Sequence, residues 1–224
     1  MSAQTVDVLR SFEGINRSIM FRRGQFLNTR ILGQNIIAEY ECEEEFPQTF
    51  AIYELGQFLK GLSLFEKPSL QFENNEYVTI RSEQGRRSAK YFFSDPSMVE
   101  EASPDRKLQF PEEDIVVDFR LTEEDLRGLW RAAGVYELND VSIEASEDTQ
   151  KATITVWDVE HETNNTFSIV VDACVSTDHK AHLKVDAIQT IMQGNYDVSI
   201  TDGYITRWKN NSIDLVYYIS TEDE

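Results

Sequence analysis

The chain repeats itself. FENNEYVTIRSEQGRRSAKYFFS, residues 72–94, and VSITDGYITRWKNNSIDLVYYIS, residues 198–220, follow one order: strand, aromatic strand, polar turn, strand ending in paired aromatics. Upstream of each copy comes a helix pattern, then strands, then a second helix pattern. A solenoid would keep a fixed short period, whereas the spacing here varies between corresponding parts. The constraint is therefore a diverged duplication of two domains, which 224 residues can hold at ordinary size.

In the first half, residues 4–17 predict a helix with Val8, Leu9, Phe12 and Ile15 on its buried face. Arg10 and Arg17, seven apart, share its exposed face. Two strand patterns follow, SIMFRRGQFLNTRIL with a turn at Arg23-Gly24, then QNIIAEYECEEEF. Phe50 and Ile52 end a short strand that enters an amphipathic helix over 53–64. There Leu55, Phe58, Leu59 and Leu62 recur at the three- and four-residue spacing of one face, with Glu54, Gln57, Lys60 and Gly61 mostly on the other. Three strands then turn at Asn74-Asn75 and at Gln84-Gly85.

Residues 97–114 are acidic, contain Pro104 and Pro111, and keep no period, as a connection between domains would. The expected division is an N-terminal domain over 1–96, a connector over 97–117 and a C-terminal domain over 118–224. The second domain opens with a helix capped by Thr122, with Glu123, Glu124 and Asp125 in its first turn. Leu126, Leu129, Trp130 and Ala133 face inward, and Arg127 and Arg131 outward. Strands are expected at DVSIEAS, KATITVWDV and TFSIVVDACV, then a short helix at VDAIQTIM, then closing strands that turn at Asp202-Gly203 and Asn210-Asn211.

No apolar run is long enough to span a membrane, and no basic-then-apolar leader opens the chain. Two cysteines, Cys42 and Cys174, make no disulfide framework. No catalytic constellation stands out. Gly56 and Gly61 have the spacing of half a phosphate loop, but Leu62-Ser63 follows where Lys-Ser/Thr is required. Cys174, His179 and His182 are one ligand short of a zinc set and are read as part of a strand-to-strand loop. Carboxylate pairs such as Asp197 and Asp202 read as solvated surface. The expectation is a non-enzymatic protein without metal or cofactor.

A formal charge of −19 argues against a nucleic-acid binder with a broad basic footprint. The few cations are nonetheless placed alike in both halves: Arg10 and Arg17 on the first helix, Arg127 and Arg131 on its counterpart, Lys60 and Lys184 at the other helix pair. Helices lining one surface would turn them into a thin positive stripe on an acidic body. Such a stripe attracts a phosphate backbone without fixing register, because phosphate contacts carry no sequence information.

VLRSFEGINRSIMFRRGQFLNTR, FAIYELGQFLKGLSL, FFSDPSMV, and LQFPEED before LTEEDLRGLWR resemble, in that order, the sliding clamps of T-even-type bacteriophages, members of the PCNA-like processivity factors. The resemblance thins between residues 140 and 185 and returns at MQGNYDVSI. It implies an α+β DNA-clamp fold, two similar domains each with two helices packed on antiparallel sheet. Such subunits assemble head to tail into a homotrimeric ring around duplex DNA, with helices lining the hole. By analogy the seam lies between the strand carrying Ala89, Tyr91 and Phe93 of one subunit and the strand carrying Phe167 and Ile169 of the next. It also implies a pocket for partner peptides at the connector, formed by Leu108, Phe110, Tyr217 and Ile219. The implied partners are the replicative DNA polymerase, an ATP-dependent clamp loader and late-transcription factors, in the cytoplasm of an infected bacterial host. One rival stays open: a monomeric acidic binding module of DNA-mimic type, which shares the negative surface but needs neither doubled helices nor a ring.

Overall fold

The computed structural model describes residues 1–31, 36–99, 107–160 and 165–222. The chain divides into two compact units, Met1–Gly33 with Ile37–Arg106, and Lys107–Glu224 with Gln34–Ile36.

In the first unit, α1 (Ala3–Ile15) starts at Ser2, whose Oγ accepts from Thr5 N, and buries Thr5, Val8, Leu9, Phe12 and Ile15. It stops earlier than the sequence pattern suggests. Asn16 is already extended, at φ −144°, so Arg17 lies beyond the helix rather than on it. β1 (Ile19–Phe21), β2 (Gly24–Ile31), β3 (Ile36–Phe46) and β4 (Phe50–Ile52) follow, β1 pairing antiparallel with β4. Gly24 takes φ +112°, which an L side chain rarely adopts, so the turn before β2 calls for glycine. α2 (Leu55–Leu62) buries Leu55, Phe58, Leu59 and Leu62, as the spacing predicts. Its first amide donates to Arg17 O at 2.7 Å, tying its start to the end of α1. β5 (Ser69–Gln71), β6 (Tyr77–Arg81) and β7 (Ser88–Phe92) form a separate antiparallel sheet in that order. Phe21 stacks on Phe50 at 4.6 Å and meets Phe58 edge-on at 6.1 Å, so strands and helix share one aromatic core.

The second unit contains β8 (Ile115–Leu121), α3 (Glu123–Tyr136), β9 (Asp140–Ser146), β10 (Lys151–Trp157), β11 (Phe167–Val175), β12 (His179–Lys184), α4 (Val185–Gln189), β13 (Tyr196–Thr201), β14 (Ile205–Asn210) and β15 (Leu215–Ser220). Its strands run β12-β9-β10-β11-β8-β13-β14-β15, each pair antiparallel. Thr122 caps α3 through a reciprocal box with Asp125: each side chain accepts from the other residue's backbone N–H.

Two strands here depart from the sequence reading. β8 starts within the stretch read as connector. β12 occupies the stretch read as a loop, because His and Lys at its outer positions mask the buried alternation of Ala181 and Leu183. Both units use the same turn chemistry, though at non-corresponding turns of the repeat. Asn74 Oδ1 accepts from the amides of Glu76 and Tyr77, and Asn210 Oδ1 accepts from those of Ser212 and Ile213. The connector residues 100–106, including Pro104, lie outside the described residues.

Candidate nucleic-acid interface and subunit edges

The expected cations differ in how free they are. Arg10 Nη1 donates to Asp7 Oδ1 at 2.6 Å, one helical turn back, and both side chains are more than half exposed. Arg127 pairs in the same way with Glu123. Exposed pairs of this kind contribute at most about 1 kcal/mol, so a phosphate can take over the guanidinium. Arg17 Nη2 donates to Tyr53 Oη at 2.6 Å, and its guanidinium lies over the Tyr53 ring. Lys60 on α2 and Arg131 on α3 are exposed and, among the described residues, meet no carboxylate.

Lys184 is different. It caps the start of α4, and its ammonium is held by Asp140 at 2.7 Å and Glu222 at 3.2 Å. The Asp140 hydrogen bond comes first among the causes that raise its pKa, with burial opposing and Glu222 adding to it. A cation already satisfied by two carboxylates is a poor phosphate ligand, so the structure sets Lys184 apart from the other five.

Of the residues expected at the seam, Ala89 and Tyr91 lie on β7 with Phe93 just after it, and Phe167 and Ile169 lie on β11. Among the described residues, β7 pairs only with β6 and ends its sheet. β11 pairs with β10 over Phe167–Asp172, and β8 joins its other side only at Ala173–Val175. Among the described residues, the outer side of Phe167–Val171 therefore has no strand beside it. Side-chain directions refine the assignment. Tyr91 meets Phe58 of α2 edge-on at 5.1 Å, and Phe93 stacks on Phe50 at 4.7 Å, so Ala89, Tyr91 and Phe93 face their own core. Phe167 lies over Gly128 of α3, its ring 3.7 Å from where a Cβ would stand. The opposite faces carry residues the sequence reading passed over, Phe92 at 65% exposed and Val170 at 60%. The signal was present in the alternation of each strand.

The connector pocket needs a correction. Phe110 packs on Tyr218 at 5.9 Å, with the Arg207 guanidinium over its ring at 4.4 Å. Arg207 also binds Glu112 and donates to Ser199, and Lys107 reaches Asp214 at 3.4 Å, so residues 107–112 are pinned along β14 and β15. Tyr217 and Ile219 are fully buried on the opposite face of β15, where Tyr217 Oη accepts from Met192 N just after α4. Period-two alternation puts Val216 and Tyr218, not Tyr217 and Ile219, on the connector's side. Leu108 and Phe110 are half-buried along it.

The zinc candidates are not assembled. Cys174 lies on β11 and His179 and His182 on β12, with β9 and β10 between those strands. Among the described residues no group of His, Cys, Asp or Glu is placed to hold a metal, and no helix is long and apolar enough to cross a membrane.

Solved structures share this fold, among them the two that follow. The proliferating cellular nuclear antigen of Entamoeba histolytica matches with a TM-score of 0.73 at 14% identity, over 98% of this chain and 95% of that one. The corresponding protein of Thermococcus kodakaraensis matches with a TM-score of 0.69 at 12% identity, over 98% and 96%. Helices on antiparallel sheet, in this order, are thus the architecture of DNA clamps. No protein-family model matches the chain. Among characterised proteins, the sliding clamp of Vibrio phage KVP40 is 30% identical over 224 residues, 99% of this chain and 98% of the relative. That of Enterobacteria phage T4 is 29% identical over 147 residues, 66% of this chain and 62% of its own length. That of Escherichia phage RB69 is 26% identical over 143 residues, 64% and 60%. The chain belongs to the sliding-clamp family of T4-like phages.

Proposed function

We propose that this protein is the processivity clamp of a phage replicative DNA polymerase: a homotrimeric ring that encircles duplex DNA and tethers the enzyme, with no turnover of its own. The carrying observation is the match to a phage sliding clamp along 98% of that protein's length. The ring acts in the cytoplasm of the infected bacterium. A closed ring cannot thread onto long DNA, so an ATP-driven loader must open and place it. Late-transcription factors are further candidates for the same surface.

Arg10, Arg17, Lys60, Arg127 and Arg131 are the proposed phosphate contacts. Weak, exchangeable contacts on an acidic body suit sliding, because tight ones would hold the ring in place. Leu108 and Phe110, with Val216 and Tyr218 on the adjoining strand, are the proposed seat for a partner's peptide. Apolar side chains beside a pinned loop offer that peptide a groove. The open edges of β7 and β11 support a head-to-tail seam in which each edge covers the other, and three such contacts close a ring.

Light scattering across a dilution series, followed by primer extension with and without loader and ATP, tests the reading. A mass of three chains and loader-dependent processive synthesis are expected. A monomer at every concentration would overturn the ring and favour an acidic binding module instead.

A further inference from the structure

We propose that the first unit carries a second phosphate-binding site for duplex DNA outside its helices, formed by Lys67, Arg86 and Arg87 beyond the end of α2. This rests on the clamp reading above and adds a grip on the DNA backbone where the duplex passes off the helices.

Charge singles the region out. Residues 60–93 carry six lysines and arginines against four carboxylates, in a chain of net charge −19. Three of those cations, Lys67, Arg86 and Arg87, line one cleft of about 410 Å³ between the segment after α2 and the β6–β7 turn. Glu66 and Glu83 share the cleft. Lys67 reaches Glu83 only at 4.0 Å, with the two side chains 74% and 72% exposed, so a phosphate can displace that carboxylate. Among the described residues, neither the Arg86 nor the Arg87 guanidinium meets a carboxylate. The turn holds both arginines in place. Ser82 N donates to Arg87 O at 3.1 Å, Gly85 N to Ser82 O at 2.8 Å, and Arg87 N to Ser82 Oγ at 3.3 Å. Gly85 supplies the φ of +66° that the reversal needs.

Position ties the cluster to the helices. Phe65, Glu66 and Lys67 also line a neighbouring cleft of about 650 Å³, whose other walls include Arg10 of α1 and Leu59 of α2. Lys67 therefore stands between Arg10, already a proposed phosphate contact, and the two arginines of the turn. A DNA backbone lying across α1 finds cations in succession: Arg10, Lys67, then Arg86 and Arg87. The chemistry favours nucleic acid over protein at this turn. Residues 82–87, SEQGRR, offer no apolar side chain to anchor a partner protein. Guanidinium groups bind phosphate through paired N–H donors and need no such anchor.

Fluorescence-anisotropy titration of a labelled DNA duplex with the full chain, across a salt series, tests the site. Arg86→Gln with Arg87→Gln is expected to weaken binding by roughly tenfold or more and to flatten the salt dependence by about two units of slope, one for each phosphate released. Arg86→Lys with Arg87→Lys is expected to keep the wild-type slope, since both charges remain. Unchanged affinity and slope in the glutamine variant, while Arg10→Gln weakens binding, would overturn this site and leave the helix contacts standing. A glutamine variant that keeps its DNA affinity but loses affinity for a polyglutamate peptide would also overturn it, and would assign the turn to an acidic protein segment. A wild-type chain that binds no duplex even at low salt would overturn the phosphate contacts on the helices together with this one.

Discussion

Lys184 Nζ donates to Asp140 Oδ1 at 2.7 Å, and Asp140, only 6% exposed, accepts on its other oxygen from Val159 N. The pair joins the ends of β9 and β12 and the loop after β10. Lys184→Ala leaves a buried carboxylate without its cation. Discounted for the exposure of the lysine, the expected loss of stability is about 1–2 kcal/mol. Urea denaturation measures it. At concentrations where the variant stays folded, processive synthesis should match wild type, because this cation is not available to DNA.

Glu44 caps α1 from β3: its carboxylate accepts from Ser2 N and, at 2.6 Å, from the Thr5 hydroxyl. Burial pushes its pKa up, but the Thr5 and Ser2 hydrogen bonds outweigh that and hold it below 4.5. A carboxyl with a depressed folded pKa contributes stability above its unfolded pKa, and this is lost as pH falls through the folded value. Glu44→Gln should therefore be less stable than wild type at neutral pH, and the gap should narrow below pH 4.5. Denaturation midpoints measured across that range check the direction.

Lys60 and Arg131 carry no intrahelical carboxylate among the described residues, whereas Arg10 and Arg127 do. Replacing Lys60 and Arg131 together with Glu should lower processive synthesis at physiological salt more than replacing Arg10 and Arg127. Both variants should keep the trimer mass. The salt dependence of DNA retention should become shallower by about one unit of slope for each phosphate that the protein no longer neutralises.

Opposite faces of β15 should respond differently. Tyr217→Ala removes a fully buried ring and should cost about 3–5 kcal/mol. Phe110→Ala removes a half-buried ring that holds the connector to Tyr218. It should leave global stability nearly unchanged and weaken a polymerase-derived peptide by roughly tenfold or more. Thermal melting and peptide titration separate the two.

Long periodic segments were legible in the sequence. The buried faces of α1 and α2, the Thr122 cap and the hairpins at Asn74 and Gly85 follow from spacing and turn residues alone. Boundaries set by tertiary contact were not. Arg17 left its helix because Asn16 turns to bond Arg30 O and Ser18 N. β12 hid behind outward histidines and lysines that are weak strand formers. At the sites, residue type was readable and direction was not. Ala89 and Tyr91 lie on β7 and face inward, whereas Phe92 is the large apolar residue that strand exposes. Tyr217 and Ile219 differ from Tyr218 by a single step along the chain, and in a strand one step reverses the face.

The open edges of β7 and β11 also bear on the life of a lone subunit. In the proposed ring, a copy before assembly would carry, among the described residues, unpaired backbone beside exposed Phe92 and Val170, a template for uncontrolled strand addition. The net charge of −19 then has a second task. Mutual repulsion between acidic copies disfavours such addition. The acidity that seemed at odds with DNA is, for the unassembled chain, a safeguard against precipitation.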